Sequence, residues 1–325
     1  MRLLAGFDGG GTKTLCALAT PEGEVVSLGT GGPSNLCTHA SSTRDSVVAA
    51  FQEAAHPLGA LPQVSVACLA LAGFHACAVP GGPEAAFVGA LPASDLVVIP
   101  DMEAAFLGAA GGEPAVVVIA GTGTAVYGGG SRGQRARAAG WGYLLDDEGS
   151  GFWIGLEALK AALKEFDGRG DATGLTSALL QHLGLPDVEA IEGYPFGLKD
   201  LTTSVASLAP LVFDLASKGD QVAASILRQA GAHLSVPVSA VLRRLGLQDA
   251  PVCVACVGSV LTAQGSPVRE ALRGRLAELA PKATLTLPLL PPVGGALLAA
   301  AKAAGHPVSP SFLARMKESL ERQES

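Results

Sequence analysis

The 325-residue sequence has no excess of basic residues. It contains 22 Lys and Arg against 29 Asp and Glu, which gives a formal net charge of -7 at pH 7. A protein that binds a nucleic-acid backbone needs the opposite balance, concentrated in a patch or run of basic residues. Nucleic acid is therefore not an expected partner.

The sequence also lacks an apolar stretch long enough to cross a membrane and a recognisable signal peptide. Its most apolar runs are interrupted by Gly, Pro or charged residues. With 49% hydrophobic and 16% charged residues, a chain of this length can bury a large core. We expect a cytoplasmic globular protein of two domains, with no membrane partner.

The cysteine pattern argues against a disulfide framework. The six cysteines are Cys16, Cys37, Cys68, Cys77, Cys253 and Cys256. Most lie in apolar runs, which predicts buried, reduced thiols. The last two form a C-x-x-C motif, but no second one occurs, and "VCVACVG" is typical of a buried strand. Core packing is favoured over a metal or redox site.

Hydrophobic periodicity predicts an internally duplicated α/β chain. Strands are expected at 3–7, 14–20, 24–29, 64–71 and 96–99, and helices near 42–56 and 84–91. A strand, a Gly/Thr turn and a second strand return at 115–130. Helices are then expected at 152–166, 173–183, 201–246 and 310–323, with strands at 252–257 and 283–287.

Each half opens with a hairpin that could hold phosphate. "GFDGGGTKT" predicts a turn at Gly9, Gly10 and Gly11, with Asp8 at the strand end for a hydrated Mg²⁺. Thr12 and Lys13 add donors to that turn. The motif is not a Walker loop, and a plain glycine turn is the alternative.

The second hairpin, "AGTGTA", supplies backbone donors at Gly121 and Gly123 and hydroxyls at Thr122 and Thr124. Two such hairpins in similar halves indicate a nucleotide whose phosphates lie between two facing domains. Gly258, in "CVGSV", fits a close backbone approach to a nucleoside, or an ordinary turn after a strand.

Candidate sugar ligands follow the strands. Asp101 comes directly after the apolar strand "LVVI", where ligands of α/β sheets collect; a helix N-cap is the alternative. Asn35 could bind one sugar edge or form an Asx turn. The segment 139–155 combines both tryptophans with acids and glycines, which favours a sugar site with Asp147 or Glu148 as ligand and the remaining acid as helix cap.

These motifs, in this order, resemble the BadF/BadG/BcrA/BcrD-type ATPases and, within them, the N-acetylglucosamine kinases of the actin-like sugar kinase superfamily. The resemblance rests on "DGGGTKT", "GPSN", the Asp after the fifth strand, "AGTGT", "GWGYLLDDEGSGFWIG" and "CVGSV". It implies a duplicated ribonuclease-H-like (actin-like ATPase) fold, with mixed five-stranded sheets in two lobes and ATP in an interdomain cleft. We expect one lobe at 1–111, completed by helix 308–325, and the other at 112–307, with a helical insertion.

The resemblance also implies residue roles. Asp8 would serve Mg²⁺. From the chemistry of phosphoryl transfer, we expect Asp101 to be the catalytic base. The residues implied for ATP are Gly10, Gly11, Thr12, Lys13, Gly121, Thr122, Gly123, Ala206, Gly258 and Ser259. Those implied for the sugar are Asn35, Asp101, Gly140, Trp141, Gly142 and Asp147. Thr124-Ala125 and Asp146 depart from the animal kinase pattern of Ser-Asn and Gly, which bears on substrate identity.

The expected activity is ATP-dependent phosphorylation of an amino sugar, with N-acetylglucosamine and its 6-hydroxyl as the leading substrate. Glucosamine, N-acetylmuramic acid and glucose are alternatives. A rival function is an ATPase activator of a dehydratase or reductase, which needs cysteines that share an iron-sulfur cluster across a dimer. A regulatory sugar-binding protein is a third possibility, disfavoured by both phosphate hairpins and Asp101. We expect a small-molecule sugar substrate and a homodimer.

Overall fold

The structure is a computed structural model that describes residues 2–75 and 81–323. The described residues form ten strands and eleven α-helices. The strands are β1 (Leu3–Gly9), β2 (Thr14–Ala19), β3 (Val25–Gly31), β4 (Val64–Leu71), β5 (Ala93–Pro100), β6 (Ala115–Ala120), β7 (Thr124–Gly129), β8 (Arg135–Ala138), β9 (Val252–Val257) and β10 (Ala283–Thr286). The helices are α1 (Thr43–Ala55), α2 (Asp101–Ala110), α3 (Gly151–Phe166), α4 (Leu175–Leu183), α5 (Leu201–Ala206), α6 (Ala209–Ser217), α7 (Gln221–Leu245), α8 (Ser259–Thr262), α9 (Pro267–Leu279), α10 (Pro292–Ala303) and α11 (Pro310–Gln323).

The strands form two mixed sheets of the same topology. The orders are β3-β2-β1-β4-β5 and β10-β9-β6-β7-β8. In the first sheet β1, β4 and β5 are parallel while β2 and β3 are antiparallel to their neighbours. The second sheet repeats this pattern with β6, β9 and β10 parallel and β7 and β8 antiparallel. The expected duplicated α/β fold with mixed five-stranded sheets is confirmed.

The chain divides into two compact units, residues 1–113 with 288–325 and residues 114–287. This division differs from the expected boundary at 307, because residues 288–307 belong to the first unit. Helix α10 packs there directly on β1: a Cβ added at Gly6 would lie 2.6 Å from the backbone nitrogen of Leu297. The glycine therefore lets helix and sheet approach each other closely.

In the first unit, helices cover both faces of the sheet. Helix α1 supplies Val47, Ala50 and Phe51 to the core on one face. Helices α10 and α11 supply residues such as Leu297 and Phe312 to the core on the other face. Strands β1 and β4 are almost continuously apolar because they are buried on both sides.

The second unit packs its sheet against a larger group of helices. One continuous core joins β6, β7 and β9 to residues of α3, α4, α6, α7 and α9. The expected helical stretch 201–246 consists of three helices, and the last begins after Gly219 with Asp220 as its N-cap. No helix in the described ranges 2–75 and 81–323 is long and apolar enough to cross a membrane.

The expected helix at 84–91 is wrong. Residues Pro83–Phe87 form a 3₁₀ turn, and Gly89 then adopts a positive φ of 68°. Strand β8 and helices α9 and α10 were not expected from the sequence.

Candidate functional site

The first glycine hairpin has an open tip. Gly9 belongs to β1, so the expected turn at 9–11 is shifted and residues 10–13 form the connection to β2. The N–H of Gly10 donates to the carbonyl of Lys13 at 3.0 Å, and the carbonyl of Gly10 accepts from Ser34 N–H at 2.9 Å. Apart from Gly11 itself and its two chain neighbours, no described residue has an atom within 4 Å of a Cβ built on Gly11. Internal packing therefore does not require this glycine, and the space above it can accept a ligand.

Two carboxylates lie at the carboxyl ends of parallel strands in the same unit. Asp8 is near the end of β1, and Asp101 follows β5 directly; both side chains are partly buried. Burial, and secondarily the charge of Asp101, raises the pKa of Asp8 to about 6, against an opposing effect of Lys13. Burial also raises the pKa of Asp101, while the N–H of Met102 and the charge of His75 oppose the rise.

The position of Asp101 differs from that of a helix N-cap. Pro100 occupies the N-cap position of α2, and Asp101 is its first helical residue. Its Oδ1 accepts a hydrogen bond from the N–H of Met102 at 2.9 Å. This bond to the adjacent N–H differs from that of a capping side chain, which accepts from an N–H two or three residues further on.

The pair fits a hydrated divalent cation. Mg²⁺ is commonly held by one or two carboxylates together with water and substrate phosphates. Within residues 2–75 and 81–323, no group of three or more His, Cys, Asp and Glu side chains is arranged as a metal cage. Asp8 could hold the ion beside the hairpin, and the mutual repulsion of the two carboxylates is what a cation would relieve.

Asn35 forms the Asx turn that was its alternative role. Its Oδ1 accepts from the N–H groups of Cys37 at 2.8 Å and Thr38 at 3.1 Å. The side-chain carbonyl is therefore used within the loop. The amide NH₂ group remains the part of Asn35 that could donate to a ligand.

The second hairpin is oriented by the start of α3. The carbonyl of Gly121 accepts from Gly151 N–H at 2.7 Å, and the carbonyl of Thr122 accepts from Phe152 N–H at 3.2 Å. In a trans peptide the N–H points opposite to the carbonyl. The N–H groups of Thr122 and Gly123 are consequently directed away from α3. Apart from Gly121 itself and its two chain neighbours, no described residue has an atom within 4 Å of a Cβ built on Gly121, so the tip is open as well.

Asp147 lies against this hairpin. Its Oδ1 accepts from the backbone N–H of Thr124 at 2.8 Å and is 3.4 Å from the Thr124 hydroxyl. The side chain is buried, and Asp147 has a positive φ of 71°. Burial raises its pKa, against the lowering effect of the Thr124 N–H. The expected sugar contact of Asp147 stays a prediction.

The neighbouring acids do not cap α3. Ser150 is the N-cap, and its hydroxyl accepts from Trp153 N–H at 3.0 Å. The expectation that a remaining acid caps this helix is wrong, because Ser150 occupies the position next to the first helical residue. Asp146 instead accepts from the N–H of Trp141 at 3.3 Å, which ties the two ends of the loop together.

The loop exposes a broad ring. Trp141 is 63% exposed, and the guanidinium of Arg137 lies 4.5 Å from its ring centroid. Gly140 and Gly142 flank it with positive φ values of 80° and 89°. The cation–π contact with Arg137 stabilises the position of the Trp141 ring. With glycines on both sides, the ring offers a flat surface to a sugar ring.

Four of the residues expected for ATP line one cavity of about 990 Å³ in the second unit: Gly121, Thr122, Ala206 and Ser259. Gly258 precedes α8 at a φ of 92°, and a Cβ there would overlap the carbonyl oxygen of Ala120. Gly258 is thus required by the fold itself, whatever its role toward a ligand.

Other residues of the cavity carry no local sequence signal. Phe213 on α6, Arg228 on α7 and Glu270 on α9 line it together. Only the packing of these helices brings them near one another. The wall is otherwise dominated by small apolar residues, which suits a flat heterocyclic ring.

The cysteines are mainly as expected. Cys16, Cys68, Cys253 and Cys256 are free thiols, whereas Cys37 is disulfide-bonded, so the expectation of a reduced thiol is wrong for Cys37. The expectation for Cys77 lies outside the described residues. Cys253 and Cys256 are three positions apart on β9, so their side chains project to opposite faces of the sheet. Burial raises the pKa of Cys256 to about 11.

Two copies of one mixed sheet, each opening with a glycine hairpin, define the fold of the actin-like sugar kinases. The sequence pattern of the BadF/BadG/BcrA/BcrD ATPase family matches residues 5–300. The chain therefore belongs to this family.

Individual relatives agree with this assignment. An N-acetylmuramic acid/N-acetylglucosamine kinase from Clostridium acetobutylicum is 34% identical over 266 residues, which cover 80% of this chain and 86% of that protein. An N-acetyl-D-glucosamine kinase from Dictyostelium discoideum is 38% identical over 133 residues, 41% of this chain and 42% of that protein. The solved structure of a candidate N-acetylglucosamine kinase from Chromobacterium violaceum is 30% identical, with a TM-score of 0.76 over 92% of this chain and 99% of that one.

Proposed function

We propose that the chain transfers the γ-phosphoryl group of ATP to the 6-hydroxyl of N-acetylglucosamine, with Mg²⁺ bound at Asp8. The observation that carries the proposal is the pair Asp8 and Asp101, two carboxylates of raised pKa at the ends of parallel strands, beside the open hairpin 10–13. A metal-binding carboxylate, a phosphate-binding turn and a second carboxylate are the groups that phosphoryl transfer to an alcohol needs.

The general activity follows from the relatives, whichever sugar is the substrate. The chain is an ATP-dependent sugar kinase, and its relatives act on amino sugars. N-acetylglucosamine occurs in the names of all three relatives described above. N-acetylmuramic acid is an alternative because it is named for one of them. Glucosamine and glucose are the other sugars to be tested.

In the proposed reaction, Asp101 accepts the proton of the sugar hydroxyl as that oxygen attacks the γ-phosphorus. A carboxyl of raised pKa is a stronger base once ionised, which suits this role. The backbone N–H groups of residues 11–13 and those of Thr122 and Gly123 would stabilise the negative charge that spreads over the phosphate oxygens. When bound, Mg²⁺ would supply further charge neutralisation next to Asp8.

The remaining roles are proposals from the residue types and positions. The cavity wall at Ala206 and Ser259, with Gly258 beside it, would receive the nucleoside. The sugar would be held by the amide NH₂ of Asn35, by Asp101, and by the loop residues Gly140, Trp141, Gly142 and Asp147. Planar and glycine surfaces pack on the sugar ring while carboxylates and amides bind its hydroxyls.

The environments of Cys253 and Cys256 argue against an iron-sulfur ATPase activator. Such a protein needs accessible thiolates that can ligate one cluster. Cys256 is fully buried with a raised pKa, and Cys253 contacts the hydroxyl of Thr286 at 2.8 Å. Anaerobically purified protein should be colourless. A visible iron-sulfur absorbance that disappears in Cys253→Ser would favour the rival function instead.

We also propose a homodimer in the cytoplasm. Sedimentation of the purified protein measures the oligomeric state directly. A single monomeric species at the concentrations used for the enzyme assay would contradict the dimer without bearing on the kinase activity.

The substrate is tested by coupled detection of ADP with N-acetylglucosamine, N-acetylmuramic acid, glucosamine and glucose. We expect the highest kcat/KM for N-acetylglucosamine. A higher kcat/KM for another of these sugars would replace the proposed substrate, and ADP release that does not depend on any sugar would contradict a kinase.

A further inference from the structure

The side chain of Asp147 accepts hydrogen bonds from Thr124 of the second phosphate hairpin. Thr124, the residue directly after the hairpin tip, donates its backbone N–H to Oδ1 of Asp147 at 2.8 Å. Both carboxylate oxygens lie 3.0 Å from the position of a Cβ built on Gly123. The carboxylate is thus packed against the base of the tip, 23 residues away in sequence.

Two contacts from the start of α3 act on the tip itself. Gly151 and Phe152 donate to the carbonyls of Gly121 and Thr122, which fixes the direction of the peptide units 121–122 and 122–123. Asp147 adds a third contact, from a carboxylate that is 8% exposed. A charged acceptor in a buried position makes a stronger hydrogen bond than a neutral one in water. Hydrogen bonds from α3 and from Asp147 therefore hold the peptide units whose N–H groups face away from α3.

We propose that Asp147 is a positioning residue for the nucleotide: it holds Thr124 and so keeps the N–H groups of Thr122 and Gly123 directed at the phosphates. The inference rests on the proposed function, since it takes this hairpin to bind ATP. It assigns Asp147 an effect on nucleotide affinity, which a residue that only contacts the sugar would not have.

The backbone of Asp147 makes a sharp test possible. Its φ of 71° is a conformation that glycine adopts freely and alanine does not. Asp147→Gly therefore removes the carboxylate without adding backbone strain, whereas Asp147→Ala removes it and strains the loop. Asp147→Asn keeps an oxygen that can accept from Thr124 N–H. Asp187→Ala is a matched control, because Asp187 also accepts from one backbone N–H, that of Ala190 at 2.9 Å, in an exposed loop.

The measurement is the Kd of the magnesium complex of a non-hydrolysable ATP analogue, by calorimetry without sugar, together with the Tm of each variant. We expect Asp147→Gly to raise Kd about tenfold or more, the effect of one lost hydrogen bond to a charged group. Asp147→Asn should stay within about threefold of the unmodified protein, because the acceptor is retained. Asp187→Ala should leave Kd unchanged.

An unchanged Kd in Asp147→Gly overturns the inference. A raised sugar KM in that variant would then assign Asp147 to the sugar alone, and a lowered Tm alone would make it a purely structural residue. If Asp147→Ala does not fold, Asp147→Gly and Asp147→Asn still decide the question. Failure of the unmodified protein to bind the analogue would contradict the proposed function instead, so the two failures are distinguishable.

Discussion

Asp8 and Asp101 interact electrostatically from the two strands that flank β4. Asp8 is opposite Ala70 of β4, and Ala70 is in turn opposite Ile99, two residues before Asp101. Because β4 lies between them, the backbones of β1 and β5 are roughly 10 Å apart, twice the spacing of neighbouring strands. Side chains that extend from these positions can approach one another, and the charge of Asp101 contributes to the raised pKa of Asp8.

Asp101→Asn tests the catalytic base. The substitution keeps the size and polarity of the side chain but removes the proton acceptor, so we expect kcat to fall by about a hundredfold or more. The KM values for ATP and sugar should change little. Steady-state kinetics with both substrates varied checks this. Turnover near that of the unmodified protein would leave Asp101 with only a structural role at the start of α2.

Asp8→Ala tests the metal site. Because Asp8 is proposed to act through Mg²⁺, its loss should raise the KM for MgATP by about tenfold or more while the KM for sugar stays nearly constant. Titration of Mg²⁺ at fixed ATP provides an independent measurement. A variant with altered Tm but unchanged dependence on MgATP would assign Asp8 to the stability of the strand end.

Asp8 also predicts a pH dependence of stability in the absence of nucleotide and metal. Its pKa rises from 3.8 to about 6 on folding, so the folded protein retains a proton that the unfolded chain releases. The stabilisation from this group is complete below its unfolded pKa and is lost as the pH rises through its folded pKa. Asp8→Asn cannot lose this proton.

The free energy of unfolding of Asp8→Asn, relative to the unmodified protein, should therefore increase between about pH 4 and about pH 7.5, on the order of 2 kcal/mol. Urea unfolding in the presence of a chelator measures it at both values. A difference that is constant with pH would show that Asp8 titrates normally in the folded state.

Substitution by alanine should affect nucleotide binding at Gly121 and stability at Gly258. The space around Gly121 is open and its φ is not positive, so Gly121→Ala should leave Tm nearly unchanged but raise the Kd for the nucleotide, because the methyl group would occupy the space of a phosphate. Gly258→Ala should lower stability by about 2 kcal/mol or more, since it strains the backbone at a φ of 92° and collides with Ala120. Equal effects of the two substitutions on Tm would contradict this distinction.

The two hairpins and their strands were predictable because their signals are local. Asp8 and Gly121 follow short apolar runs that end at glycine-rich turns. Helix α10 was not predicted, because its sequence "PVGGALLAAAKA" consists mainly of small apolar residues without an amphipathic face. Its Ala and Leu residues favour a helix by themselves, and α2 and β1 pack against it.

The contacts within the candidate site were less predictable than its members. Asn35 and Asp147 were recognised by residue type, but their hydrogen bonds to Cys37 and Thr124 depend on loop conformation. The role of Ser150 as helix cap was missed because three acids precede it in the same segment. The cavity residue Arg228 reaches its place through the packing of α7, which no local pattern encodes.

Identification of the product shows directly which hydroxyl of which sugar receives the phosphate. The protein is incubated with MgATP and either N-acetylglucosamine or its 6-deoxy analogue, and the sugars are analysed by mass spectrometry and phosphorus NMR. The account predicts one phosphate on N-acetylglucosamine, with its phosphorus coupled to the protons on carbon 6, and no phosphorylation of the analogue. Phosphorylation of the 6-deoxy sugar, or a phosphate on another hydroxyl of N-acetylglucosamine, would contradict it.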